Sequence, residues 1–194
     1  TDEKPLPEIL PGQFVEVKVE HSPTTMLRRP ISINYVDREN NQLWLLVAMV
    51  GDGTRQLGQL KAGDSLNCML PLGNGFTMPS EKSQKFLLVG GGVGVAPLLY
   101  FGKLIKDFGA EVVFLLGARS AKDLLELDEF AKIGKVCITT EDGSAGEIGF
   151  VTNHSVLENE KFDMISTCGP KPMMVSVARF AKKAGVECEV SLEN

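Results

Sequence analysis

The chain has 194 residues, 43% of them hydrophobic and 23% charged, with a formal net charge of -5, the composition of an ordinary globular protein of one or two domains. That acidic balance excludes a surface built to neutralise nucleic-acid phosphates or to lie on anionic lipid, because both need concentrated positive charge. The longest apolar runs, residues 43–50 and 86–89, fall far short of the roughly 20 residues that cross a bilayer, and no secretory leader is recognisable, so the expectation is a cytoplasmic protein with no nucleic-acid or membrane partner.

In chain order, residues 13–19, 31–35, 43–50 and 65–70 are β-type runs separated by turn signals. With no amphipathic helix among them, residues 1–82 read as a small antiparallel β-barrel. The polar stretch Pro79-Ser80-Glu81-Lys82 then gives way to a repeating order of apolar run, glycine turn and helix-like segment. Strands are expected at 86–89, 111–116, 136–140, 164–167 and 188–192, and helices at 98–108 and 173–183, where apolar residues recur at helical spacing. Residues 83–194 therefore read as a Rossmann-like α/β domain with a parallel sheet. Four cysteines, Cys68, Cys137, Cys168 and Cys188, form no CxxC pair and have no histidine at ligand spacing, which favours reduced, buried thiols over a metal site.

The strand at 86–89 runs into Gly90-Gly91-Gly92-Val93-Gly94-Val95-Ala96-Pro97, which opens a helix expected at Leu98. Glycines let the backbone turn tightly and approach a pyrophosphate, and a helix start offers unpaired N–H groups. Pro97 suits the first helical turn, where its missing N–H has no partner to lose. Strand before and helix after make Gly90, Gly92, Gly94 and Pro97 candidates for a nucleotide site rather than a structural glycine turn.

In the first half, Arg28-Arg29-Pro30-Ile31-Ser32 brings guanidinium groups whose planar fork matches a phosphate. Val50-Gly51-Asp52-Gly53-Thr54 reads as a glycine turn ending a strand, with N–H and hydroxyl donors. Either segment alone is as well explained by a solvated basic turn or an Asp-Gly β-turn; together they point to a second phosphate site.

The GxGxxP pattern, with Thr167-Cys168-Gly169-Pro170 after the strand at 164–167, resembles the nicotinamide domain of the ferredoxin reductase superfamily. The resemblance implies an FAD-binding barrel followed by an NAD-binding domain. By the same resemblance Arg29 holds the FAD pyrophosphate with Gly53 and Thr54, and Ser32 places its hydroxyl near flavin N5. Pro30 and Ile31 lie beside the ring, Ile31 standing where the family has a stacking tyrosine, and the strand Leu46-Val47-Ala48 flanks the flavin. Cys168 and Gly169 border the nicotinamide at the hydride-transfer site. Pro71-Leu72-Gly73-Asn74-Gly75-Phe76 resembles the turn closing the barrel, with Phe76 either at the flavin or in the interdomain core.

Together with Pro11-Gly12-Gln13-Phe14 and Gly117-Ala118-Arg119-Ser120, these motifs cover nearly the whole chain and resemble the family of electron-transfer subunits of class 1B dihydroorotate dehydrogenase. That family implies an FMN-containing catalytic partner subunit in a heterotetramer of pyrimidine biosynthesis, with electrons passing through a 2Fe-2S cluster to FAD and then NAD. Val190-Ser191-Leu192-Glu193-Asn194 resembles the stretch that leads into the cluster's cysteines, so the expectation is a chain shortened at both ends, lacking the first barrel strand and the cluster ligands. The rivals are the small subunit of an NADH-dependent ferredoxin:NADP oxidoreductase, a stand-alone NAD(P)H:flavin reductase and a non-catalytic nucleotide-binding module. Between NAD and NADP the residues leave the choice open: Arg119 and Ser120 could receive a 2'-phosphate and no acidic residue stands at the strand end, whereas the resemblance favours NAD.

Overall fold

The computed structural model describes residues 4–20 and 25–192; the last two positions of the tail motif, Glu193 and Asn194, lie outside them. In the first half, β1 (Phe14–Val17), β2 (Arg29–Asp37), β3 (Gln42–Leu45) and β4 (Cys68–Leu72) form an antiparallel sheet in the order β3-β2-β1-β4. β1 alternates, burying Val15 and Val17, as a strand covered on one face must. β2 departs from alternation. Ile33 pairs with Leu45 and Tyr35 with Trp44, so Asn34 is the extra residue of a β-bulge, and Ile33 and Asn34 are both buried.

Two expectations for this half are corrected. The strand expected over 43–50 stops at Leu45, so Leu46, Val47 and Ala48 follow the strand instead of forming it. The segment at 51–54 does not end a strand but opens a helix, α1 (Asp52–Leu57). Gly51 N–H donates to Thr54 Oγ1 at 3.0 Å, and Arg55 pairs with Asp52 at 2.6 Å. Six residues are too few to show a helical hydrophobic period, which is why the sequence pattern hides this helix.

In the second half, β5 (Lys85–Gly91), β6 (Glu111–Ala118), β7 (Lys135–Thr140), β8 (Glu147–Ile148), β9 (Met164–Cys168) and β10 (Glu187–Ser191) form a parallel sheet in the order β10-β9-β5-β6-β7-β8. All five expected strands are present. Alternate residues serve opposite faces. Phe86, Leu88, Val112 and Phe114 meet α2 (Ala96–Phe108) and α3 (Leu127–Ile133), while Leu87, Val89, Val113 and Leu115 meet α4 (Val156–Asn159) and α5 (Lys171–Ala184). Helix α2 begins two residues before the expected Leu98, after a 3-10 turn at Gly92–Val95, and carries Pro97 in its first turn.

α2 also joins the two sheets. Its Tyr100 and Leu104 sit in the core of the antiparallel sheet with Ile33 and Val36, while Phe101 faces the parallel sheet and stacks on Phe76 with ring centroids 4.7 Å apart. Thr77 N–H donates to the Glu189 carboxylate on β10. Among the described residues no helix is long and apolar enough to cross a membrane.

Candidate functional site

From β5 the chain proceeds to β6, β7 and β8 on one side, while β9 and β10 lie on the other. The strand order therefore reverses between β5 and β9, and the crevice above the carboxyl ends of these strands is where such sheets bind ligands. Gly90 is in register with Cys168, so the turns after both strands open into the same space.

The glycines of the first turn have different surroundings. Gly92 has φ +56, and a Cβ built there would meet nothing within 4 Å, so its backbone faces open space in a conformation that favours glycine. Gly94 is the opposite case: a Cβ would lie 2.6 Å from Gly169 N, because the turns after β5 and β9 press backbone on backbone. A Cβ on Gly90 would strike Leu98 and Val95 at 2.9 Å. Gly91 and Gly92 border a cavity of about 860 Å³, whereas Gly90, Gly94, Pro97, Cys168 and Gly169 are not among its lining residues. Cys168 is 1% exposed, within the core beneath the crevice.

The cavity extends over the ends of β6 and β7, where Arg119, Asp123, Glu141 and Phe150 line it. Asp123 and Glu141 correct the expectation that no acidic group stands near this strand end. They come from two separate loops, joined by Ala121 N–H donating to Ser144 Oγ at 2.7 Å. Ser144 also donates to Asp142 and holds that carboxyl below the usual range. Ser120, expected as a phosphate donor, gives its hydroxyl to Asp123 at 2.8 Å. No linear motif joins these residues, so proximity in the fold was the missing signal. The cavity is also lined by Val50, from the segment that leads into α1.

On that side the two adjacent arginines differ. Arg28 is committed to the protein, donating to Glu16 O at 3.2 Å, Asn67 O at 3.1 Å and Asn67 Oδ1 at 2.8 Å. Arg29 forms no ion pair among the described residues, and its side chain crosses Gly53, where a Cβ would lie 3.0 Å from Nε. Arg29 and Gly53 are thus brought together from β2 and α1, whereas the Thr54 hydroxyl, expected as a phosphate donor, donates to Gly51 O at 3.1 Å. Arg29 donates to Arg28 O at 3.4 Å and meets no carboxylate among the described residues, a half-buried cation suited to phosphate. Ser32 lies further along β2 opposite Phe14, and Pro30 and Ile31 stand between it and Arg29. Phe76 is 8% exposed and stacks on Phe101, the interdomain alternative for this residue. Burial pushes the Cys68, Cys137 and Cys188 thiols up. Among the described residues no three His, Cys, Asp or Glu side chains converge as a metal site would require.

Residues 88–179 match the family of oxidoreductase NAD-binding domains. The chain is 39% identical over 175 residues, 89% of its own length and 68% of the relative's, to the dihydroorotate dehydrogenase B (NAD(+)) electron transfer subunit of Shouchella clausii. It is 40% identical over 185 residues, 94% of its length and 70% of the relative's, to the subunit of that name from Caldanaerobacter subterraneus subsp. tengcongensis. Among solved structures, that of an NADH-dependent reduced ferredoxin-NADP oxidoreductase, described in terms of flavin-based electron bifurcation, superposes with a TM-score of 0.84 at 34% identity, covering 96% of this chain and 67% of the other. The chain spans about two thirds of the length of the curated relatives it matches.

Proposed function

We propose that this chain, which belongs to the family of electron transfer subunits of dihydroorotate dehydrogenase B (NAD(+)), passes electrons from a catalytic partner subunit through FAD to NAD+. The observation that carries the reading is the shared cavity. Gly91 and Gly92 of the crevice turn border a cavity of about 860 Å³, within the range of ligand pockets, and Val50, three residues before Gly53, brings the first half to its rim.

When bound, the two cofactors supply hydride exchange between nicotinamide and flavin. The chain's own task is to hold the rings within about 3.5 Å of each other, where proximity does most of the work. Arg29 presents its fork to the FAD pyrophosphate, with Gly53 leaving room for the guanidinium and Thr54 shaping the start of α1. Ser32 directs its hydroxyl to the flavin nitrogen that exchanges the hydride, and Pro30, Ile31, Leu46, Val47 and Ala48 border the ring. Gly92 lets the NAD pyrophosphate approach the backbone. Gly90, Gly94 and Pro97 hold strand, turn and helix tightly enough to keep that approach open, and Cys168 and Gly169 shape the floor beside the nicotinamide. Phe76 supports the site from behind through Phe101. Asp123 and Glu141 accept the adenosine ribose hydroxyls and repel a 2'-phosphate, which favours NAD over NADP.

The partner in this reading oxidises dihydroorotate at FMN. The described residues bring no set of ligands together that fits a 2Fe-2S cluster. A second reading, the small subunit of an NADH-dependent ferredoxin:NADP oxidoreductase, draws on the structural likeness at 34% identity; the relatives at 39% and 40% identity favour the first.

The test is an anaerobic titration of the purified protein with NADH, followed by addition of the dihydroorotate-oxidising subunit, NAD+ and dihydroorotate. A flavin spectrum bleached by NADH is expected, and any NADH formed from dihydroorotate should require the partner. A colourless protein that binds only nucleotide would overturn the reading.

A further inference from the structure

The bulge in β2 aims one side chain at the other half of the molecule. Asn34 is 1% exposed, and its amide nitrogen donates to Ala96 O at 3.2 Å and to Glu126 Oε2 at 2.8 Å. Both amide hydrogens are thus spent across the interdomain boundary. Ala96 is the first residue of α2 and directly follows the 3-10 turn that contains Gly92 and Gly94. Glu126 leads into α3 and is held at φ +55, a left-handed conformation that costs a non-glycine residue energy and is kept only where surroundings enforce it. On the other side, Asn34 stands two residues from Ser32 on the same strand.

Apolar packing already presses α2 onto this sheet through Tyr100 and Leu104, but such packing is non-directional. A doubly donating amide at a bulge is directional, and a leucine of similar size would fill the space without selecting a register. We propose that Asn34 is a positioning residue whose two hydrogen bonds set the separation between the flavin-side strand β2 and the dinucleotide turn at the start of α2. The inference rests on the reading under Proposed function. The Glu126 carboxyl is raised overall: burial and the charge of Glu129 on α3 raise it, and the bond from the Asn34 amide, which favours the ionised form, offsets only part of that. The acceptor is therefore worth most to the amide while it stays ionised.

The experiment is anaerobic rapid mixing of the FAD-loaded protein with NADH, for the wild type, Asn34→Leu, Asn34→Asp, and Asn34→Asp combined with Glu126→Gln. In Asn34→Leu the limiting rate of flavin bleaching is expected to fall about tenfold or more, with FAD content and the KM for NADH nearly unchanged. In Asn34→Asp the same loss is expected at neutral pH, with recovery as pH falls, because two facing carboxylates can share one proton. Adding Glu126→Gln restores part of the rate at neutral pH, since the glutamine amide donates back, though Ala96 O still lacks its donor. A limiting rate that stays at the wild-type level in both single variants, or a loss confined to KM, overturns the proposal. If Asn34→Leu does not fold, the pH profile of Asn34→Asp and its rescue decide. If the wild type holds FAD but NADH does not bleach it, or if it holds no FAD, the functional reading fails by itself. Amide hydrogen exchange in the first turn of α2 then judges Asn34: faster exchange in the variants keeps the interdomain tie, and unchanged exchange removes it.

Discussion

In the antiparallel sheet β1 buries Val15 and Val17 and leaves Phe14 and Glu16 half covered, whereas in the parallel sheet all five residues of β9 are buried. The parallel sheet has helices on both faces and closes its own core. The antiparallel sheet borrows its cover from α2, and the segments beside Arg29 and Gly53 leave Met26 at 95% and Val50 at 81% exposure. A change in the parallel half should therefore register first as lost stability, and a change at the rim of the antiparallel half first as lost cofactor.

The largest effect expected is from Phe101→Ala, which removes the ring on which Phe76 stacks and Phe86 packs edge-on. A loss of about 3–5 kcal/mol in chemical denaturation is expected, with both halves unfolding earlier. An unfolding midpoint equal to wild type would contradict a shared core. Gly94→Ala forces a Cβ onto the Gly169 backbone and should cost about 1–3 kcal/mol, with weakened NADH binding followed by titration.

Paired substitutions at the arginines sharpen the contrast. Arg29→Ala should weaken FAD binding about tenfold to a hundredfold, the worth of a charge-assisted hydrogen bond, while leaving the apoprotein's melting temperature unchanged. Arg28→Ala should do the reverse, lowering the melting temperature and keeping FAD, because its bonds to Glu16 O and Asn67 hold β1 to the loop before β4. Equal flavin loss in both would show that the phosphate does not distinguish them. Glu141→Arg should move the ratio of NADH to NADPH rates about tenfold toward NADPH by exchanging repulsion of a 2'-phosphate for attraction, measured in steady state with each nucleotide.

The smallest effect lies at the opposite end of the parallel sheet. Lys135 at 2.5 Å and Lys85 at 2.8 Å hold the Glu160 carboxyl below its ordinary value of 4.5. A depressed carboxyl stabilises the folded state above its unfolded pKa, and that contribution is lost as pH falls through the folded value. Glu160→Gln should flatten the fall in melting temperature below pH 4.5 and leave NADH-driven bleaching untouched.

Much of the parallel half was legible because each strand is an apolar run long enough to be seen and each turn is punctuated by glycine. The antiparallel half was less so. Leu46, Val47 and Ala48 continue the apolar run of β3 without continuing its pairing, and α1 is too short to announce itself. Arg28 and Arg29 are chemically equal in the sequence, and only the neighbours Asn67 and Gly53 separate them.

By itself the sequence determined the two-part architecture and the glycine turn after β5, because these depend on local periodicity and backbone freedom. Tertiary structure alone decided which glycine faces open space and which is pressed against Gly169, that Asp123 and Glu141 share one rim, and that Asn34 reaches Ala96 and Glu126. Those outcomes are meetings between segments far apart in the chain, and no local pattern encodes a distance across two sheets.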